Sequence, residues 1–163
     1  SAATMAKGTP APDIRDAAKP YISVIGNAAA KTSDGPSPTA AIAALKDLLQ
    51  REVGPFRTGI GLNRALDAIA KMTTALPEMP TGDPAPFNQQ LADWLGLRNM
   101  LVVAQSIATA ALARTESRGA HQREDHPGLE EAWTNNQVMR LVGDELQLSR
   151  HEVRRLAGGE KLS

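Results

Sequence analysis

Apolar residues recur at helical spacing from Ser37 onward. Ile42, Leu45, Leu49 and Val53 fall three or four positions apart, which is the stripe an amphipathic helix buries. Ser37 followed by Pro38 supplies the start of this helix, and Gly54-Pro55 supplies its stop or kink. A second stripe carries Leu62, Leu66, Ile69 and Leu76 and ends at Pro77 or Pro80. TGDPAP, residues 81–86, has the composition of a turn. A long helix is then expected from about Phe87 to about Thr115. Between Arg98 and Arg114 it carries no charge (NMLVVAQSIATAALA), so burial on nearly every side is predicted. That run is short for a bilayer span, and Gln105, Ser106 and Thr109 interrupt it. The pattern therefore predicts an all-α domain, an antiparallel bundle of three helices with the long one at its centre.

The period changes after Pro127. Residues 137–142 and 145–149 flank Gly143-Asp144, and Leu146 and Leu148 alternate with Glu145, Gln147 and Ser149, as in a small C-terminal β-hairpin. A second reading places a capping box at Ser149–Glu152, with Val153, Leu156 and Gly158 following as a short helix. Residues 1–37 read differently again. Pro10, Pro12, Pro20, Gly26 and Pro36 interrupt any long element, leaving a Pro/Gly/Ala-rich lead-in with one broken helix near residues 13–30. The expected organisation is thus a lead-in over 1–37 and a helical domain with its tail hairpin over 38–163.

Composition narrows the function more than the fold. Aromatic residues make up only 3% of the 163 residues, which favours a core of Ala, Leu, Ile, Val and Met in packed helices. Net charge is zero, against the electrostatic footprint of a nucleic-acid binder. With no cysteine, disulfides, thiolate ligands, iron–sulfur ligation and a cysteine nucleophile are excluded from this chain. No basic-plus-apolar leader is visible, and the start at Ser-Ala-Ala is that expected of a processed piece.

One segment departs from ordinary loop composition. RTESRGAHQREDHP, residues 114–127, follows the apolar helix directly, where Gly, Ser, Asn and Pro would be usual. Gly119 is expected to turn the chain at the helix end, and Pro127 closes the segment. Arg114, Arg118 and Arg123 interleave with Glu116, Glu124 and Asp125, so bidentate pairs can order an irregular backbone. A solvated charge run is the plain alternative. A metal site is another: His121 and His126 bracket Glu124 and Asp125, but this spacing is poor for ligands and lacks a third anchor. His121 could serve as a general acid or base, yet no nucleophile or cofactor cradle accompanies it.

RTESRGAHQREDHP resembles the signature of the C-terminal helical domain of the succinate dehydrogenase and fumarate reductase flavoprotein family, which includes L-aspartate oxidase. Upstream, VGPFRTGIGLNRALDAI resembles the family's Gly-x-x-Arg-Thr helix junction, and LADWLGLRNMLVVAQSIATAALA its long helix. Downstream, Leu129 to Trp133 and the hairpin resemble its tail, so the likeness covers about residues 40–154. Where the family commonly has Trp followed by a basic, His-containing stretch, this chain has Trp133-Thr-Asn-Asn. His-x-Arg-Glu-Asp is closer to succinate dehydrogenase and fumarate reductase than to L-aspartate oxidase.

The resemblance implies a spectrin-repeat-like three-helix bundle docked on the flavin-binding domain of the same parent chain, with a further partner in an iron–sulfur subunit. It implies FAD in the parent protein but none bound by this chain, which has no Gly-x-Gly-x-x-Gly cradle. No catalytic, cofactor or metal residue carries over. Arg114, Glu116, Ser117, Arg118, Gly119, His121, Arg123 and Asp125 carry over as a docking and structural motif. The implied setting is cytoplasmic, peripheral to a membrane through partner subunits, without direct insertion and without nucleic acid. Two other readings are a free-standing helical scaffold and a small nucleic-acid-binding regulator. The regulator would use residues 147–156, QLSRHEVRRL, as a recognition helix with Arg150, Arg154 and Arg155 toward phosphate.

Overall fold

Ser37 and Pro38 open the first helix where the sequence places it. Ser37 occupies the cap position without a side-chain cap bond, and Pro38 stands in the first turn. In this computed structural model, which describes residues 15–16, 18–20, 22–23, 37–77, 88–143 and 145–153, helix α1 is Pro38–Glu52. The strand β1, Phe56–Arg57, follows Gly54-Pro55, and helix α2 is Gly59–Ala75. Thr58 caps α2 by accepting from the Gly61 N–H at 3.0 Å. Leu76, next to Pro77, is already extended, as the proline requires. Helix α3, Gln89–Ala113, is capped by Asn88, which accepts from the Leu91 N–H at 3.1 Å. Then come β2 (Gln122–Arg123), a 3-10 turn (Glu131–Trp133) and the strands β3 (Asn135–Val142) and β4 (Glu145–Glu152).

The molecule is mostly helical with a small antiparallel strand pair. The helices α1, α2 and α3 each pack against the other two. Leu45, Leu62, Ala65 and Ala108 are fully buried at their shared centre, with Ile69 and Ala104 beside them. The small side chains Ala65, Ala104 and Ala108 let the backbones approach closely at this shared centre.

The long helix departs from expectation in two ways. It stops at Ala113, because Arg114 takes an extended backbone, φ −81° and ψ 109°. It is also buried on one stripe rather than all round: Trp94, Leu97, Leu101, Ala104, Ala108 and Ala111 face the core. On the opposite side Val102, Val103 and Ile107 are exposed by 38%, 56% and 49%. Length and composition alone would let this helix cross a membrane; its core stripe is spent on α1 and α2.

The hairpin is longer than its alternation suggested, pairing Asn135 with Glu152 through to Val142 with Glu145. Gly143 holds φ at +63°, the left-handed geometry a tight hairpin turn requires; Asp144 lies outside the described residues. The strand β4 includes Gln147–Glu152, so the capping box at Ser149 and the recognition helix do not form there. Arg154, Arg155, Leu156 and Gly158 lie outside the described residues, as does most of the lead-in. Of the helix expected near residues 13–30, the described residues 15–16, 18–20 and 22–23 are helical.

A second strand pair was not anticipated. The strand β1 runs parallel to β2, with Phe56 opposite Gln122 and Arg57 opposite Arg123. Gln122 N–H donates to the Pro55 carbonyl, and Glu124 N–H to the Arg57 carbonyl, both at 3.0 Å. This ladder joins VGPFRTG to RTESRGAHQREDHP, the two segments that carry the sequence signature.

Candidate functional site

A helix ends with carbonyls that have no partner within the helix, and its C-terminus carries partial negative charge. Arg123 answers both needs at the end of α3. Its Nη1 donates to the carbonyls of Ala111, Leu112 and Arg114 at 3.1, 3.0 and 3.0 Å. The rest of the guanidinium forms a two-pronged pair with Asp125, Nε to Oδ1 at 2.8 Å and Nη2 to Oδ2 at 2.9 Å. Asp125 Oδ2 in turn accepts from the Gly59 N–H at 2.8 Å. Gly59 is the first residue of α2, so this carboxylate sits at a helix N-terminus, the end that favours negative charge. One ion pair thus spans two helix ends, each charge facing the dipole end of opposite sign. Gly59 makes the approach possible, since a Cβ there would lie 2.9 Å from Asp125 Oδ2.

Glu116 organises the second half of the elbow. Its side chain is fully buried. It accepts from Arg118 Nε and Nη2 at 2.8 and 3.0 Å, from the Glu130 N–H at 2.9 Å, and from Arg114 Nη1. Arg114 also reaches the carbonyls of Trp133 and Asn135 at 3.0 and 2.9 Å, tying the helix end to the base of the hairpin. Trp133 is buried there, its Nε1–H donated to Thr115 Oγ1 at 2.9 Å. Arg150 lies over the Trp133 ring at 3.5 Å from the centroid. Arg150 is exposed, and this cation–π contact is what the structure gives its guanidinium.

The remaining motif residues shape the loop. Ser117 Oγ accepts from the Arg123 N–H at 2.9 Å and lies within hydrogen-bond reach of the Arg123 and His126 carbonyls. Arg118 and His121 exchange backbone hydrogen bonds at 2.8 and 3.0 Å across a two-residue turn. Gly119 occupies that turn at φ +58°, so it bends the loop and does not end the helix. His121 Nε2 is 3.3 Å from the Arg114 carbonyl, which can only accept, so the ring carries its proton on that nitrogen. Among the described residues no three His, Asp or Glu side chains gather as a metal set. Glu124 is exposed and takes part in none of the ion pairs, so two carboxylates rather than three hold the elbow.

The sequence motif brought all eight of its residues into this one cluster. Arg57, Gly59, Trp133, Gln137 and Arg150 were missed as members of it. Gln137 donates to the Ala110 carbonyl at 3.1 Å, closing another helix-end acceptor. The available signal was the helix junction GPFRTG, where a glycine directly follows a capping threonine.

The charges set a pH response. Burial, and then the nearby arginines Arg57, Arg123 and Arg114, hold the His121 pKa below its ordinary 6.5. Hydrogen bonds from Arg118 lead those that hold Glu116 at about 2, against a burial cost of opposite sign. Arg123 above all holds Asp125 far below its ordinary 3.8. All three groups have depressed folded-state values, so the stability they confer is present above the unfolded values and lost as pH falls. Acidification is therefore expected to lower the thermal midpoint in two stages. The first begins below pH 6.5, from His121, and a steeper one below 4.5, from the carboxylates. Calorimetry from neutral to acidic pH checks this; a midpoint that rises on acidification contradicts it.

These contacts define a helical domain whose helix ends are locked by an internal ion-pair elbow. The sequence profile of the fumarate reductase flavoprotein C-terminal family matches residues 42–156. The chain belongs to this family, the C-terminal domain of succinate dehydrogenase and fumarate reductase flavoproteins. It is 33% identical over 89 residues to one component of the CoM/CoB fumarate reductase of Methanothermobacter marburgensis, covering 55% of this chain and 16% of that protein. It is 34% identical over 93 residues to the fumarate reductase flavoprotein subunit of Helicobacter pylori, covering 56% and 13%. Among solved structures, Mycobacterium smegmatis Sdh1 in complex with UQ1 superposes with a TM-score of 0.76 at 25% identity, covering 86% of this chain and 24% of that one. The chain therefore spans a minor part of the length of the relatives it matches.

Proposed function

We propose that this chain is the helical C-terminal domain of an FAD-dependent oxidoreductase of the succinate dehydrogenase/fumarate reductase type. It braces the flavin-binding domain of the same parent protein and offers a surface to partner subunits, including an iron–sulfur subunit. In this reading α1, α2 and α3 form an antiparallel, spectrin-repeat-like bundle, and the elbow from Arg114 to Asp125 is its rigid docking edge. FAD and the dicarboxylate chemistry belong to the preceding domains, and the parent sits in the cytoplasm, peripheral to a membrane through its partners.

The observation that carries this reading is the second apolar face of α3. Val102, Val103 and Ile107 share one side of the helix at i, i+1 and i+5 and stand open beside an already closed core. An apolar face of this kind on a soluble domain marks an interaction surface. The relatives, a fumarate reductase flavoprotein subunit among them, are several times longer than this chain, which supports a partner in the same polypeptide.

The 163-residue chain should fold as a helical protein yet elute colourless after gel filtration with excess FAD. Stoichiometric yellow complex would overturn the division of labour. In the full-length flavoprotein, Val103→Asp should loosen the docked domain and speed its proteolytic release; an unchanged cleavage rate would remove α3 as the docking face.

A further inference from the structure

Four arginines meet around the elbow, Arg57, Arg114, Arg118 and Arg123, and two carboxylates answer them. Glu116 is shared between Arg114 and Arg118, and Asp125 is consumed by Arg123 and the Gly59 N–H. Arg57 is left over. Among the described residues it has no ion-pair partner, and its buried Nε–H meets no acceptor. A guanidinium remains charged under all ordinary conditions, so the imbalance is not relieved by losing a proton. Burial and the neighbouring Arg123 charge both act against it. His121 cannot compensate either, because an imidazole is neutral or cationic and never supplies negative charge.

We infer that Arg57 is the anchor for a carboxylate side chain presented by the flavin-binding part of the parent protein, which seats between β1 and His121 and completes the charge balance of the elbow. This rests on the domain reading given above. The ladder fixes the backbone on which Arg57 stands, since its carbonyl accepts from Glu124 N–H at 3.0 Å. The base of the side chain is thus set before a partner arrives, and a planar guanidinium matches a carboxylate in two parallel hydrogen bonds. Phe56, next to Arg57 in the chain, and Ile60, three residues further on, are both 72% exposed. An arginine accompanied by open apolar and aromatic side chains is the composition of a protein-interface anchor. A polyanion would call for several free cations, whereas the other three arginines here are already paired. Tethering in one polypeptide makes a single ion pair effective, because the partner is held at high local concentration.

Zero-length carbodiimide coupling tests this in the full-length flavoprotein. Arg57→Lys places an amine at the anchor, and mass spectrometry of the coupled protein should find residue 57 joined to an Asp or Glu of the flavin-binding part. Extra hydrogen-exchange protection of α3 in the full-length protein, relative to the 163-residue chain, reports docking independently. If α3 gains protection but residue 57 joins no carboxylate, the anchor is overturned while the domain reading stands. If α3 exchanges as it does in the isolated chain, both fall. A second measurement uses the 163-residue chain alone. There Arg57→Gln should leave the thermal midpoint unchanged or raise it, because an uncompensated cation is removed, while the same change lowers the midpoint of the full-length protein. A lowered midpoint in the isolated chain would show that Arg57 serves only this domain's own fold and would overturn the proposal.

Discussion

Arg123→Met is expected to destabilise the domain by about 5 kcal/mol, at least a third of the roughly 5–15 kcal/mol an ordinary domain has to lose. Methionine keeps the length of the stem but withdraws every donor. The Ala111 and Leu112 carbonyls then lose their side-chain partner and the Arg114 carbonyl keeps only His121, at about 1–3 kcal/mol for each group that water cannot reach. Asp125 loses its two-pronged partner, although its side chain is 38% exposed and solvent softens that part of the loss. Arg123→Lys should recover a fraction, because a point charge still favours the helix C-terminus but cannot bond three carbonyls and a carboxylate together. Urea unfolding of both variants, with amide exchange at the last turn of α3, measures the effect. A loss under about 1 kcal/mol for the methionine variant would mean that the helix end does not depend on this side chain.

Glu116→Gln is expected to cost about 4 kcal/mol, or a drop in thermal midpoint of about 10 °C for a chain of this size. The reason differs from that at Arg123. Here a buried anion holds two cations, and neutralising it leaves Arg114 and Arg118 close together with no countercharge. The amide also turns one acceptor into a donor aimed at a guanidinium. Removing Arg118 as well, as Arg118→Met, should return part of the loss, since Arg118 is 41% exposed and contributes chiefly through Glu116. Strict additivity of the two changes would show that they do not act as one network.

The sequence exposed these two effects unequally. Glu116 flanked by Arg114 and Arg118 is a local pattern, visible because all three lie within five residues. The Arg123–Asp125 pair was visible too, but not its task, because the helix ends it joins belong to segments far apart in the chain. The helices were legible for a different reason: their stripes repeat over three or more turns, and Pro38, Gly54-Pro55 and Pro77 mark their limits. The strands β1 and β2 have two residues each, too few to show any period. The hairpin ends were hidden by polarity, since Asn135, Asn136, Arg150, His151 and Glu152 show no alternation. The open face of α3 could not be told from a buried one, because composition says that a surface must be covered and not by what.

The parallel ladder between β1 and β2 also bears on the order in which the chain acquires its structure. Its hydrogen bonds, with that of Gly59 to Asp125 at a separation of 66 residues, close a loop containing α2 and α3. Closing so long a loop costs entropy that two short strands cannot recover by themselves. The helices must therefore dock first and bring the two segments together, which makes the elbow one of the last parts to form. On partial unfolding it would be among the first to open, so its amides should exchange through small, local openings while the buried stripe of α3 stays closed.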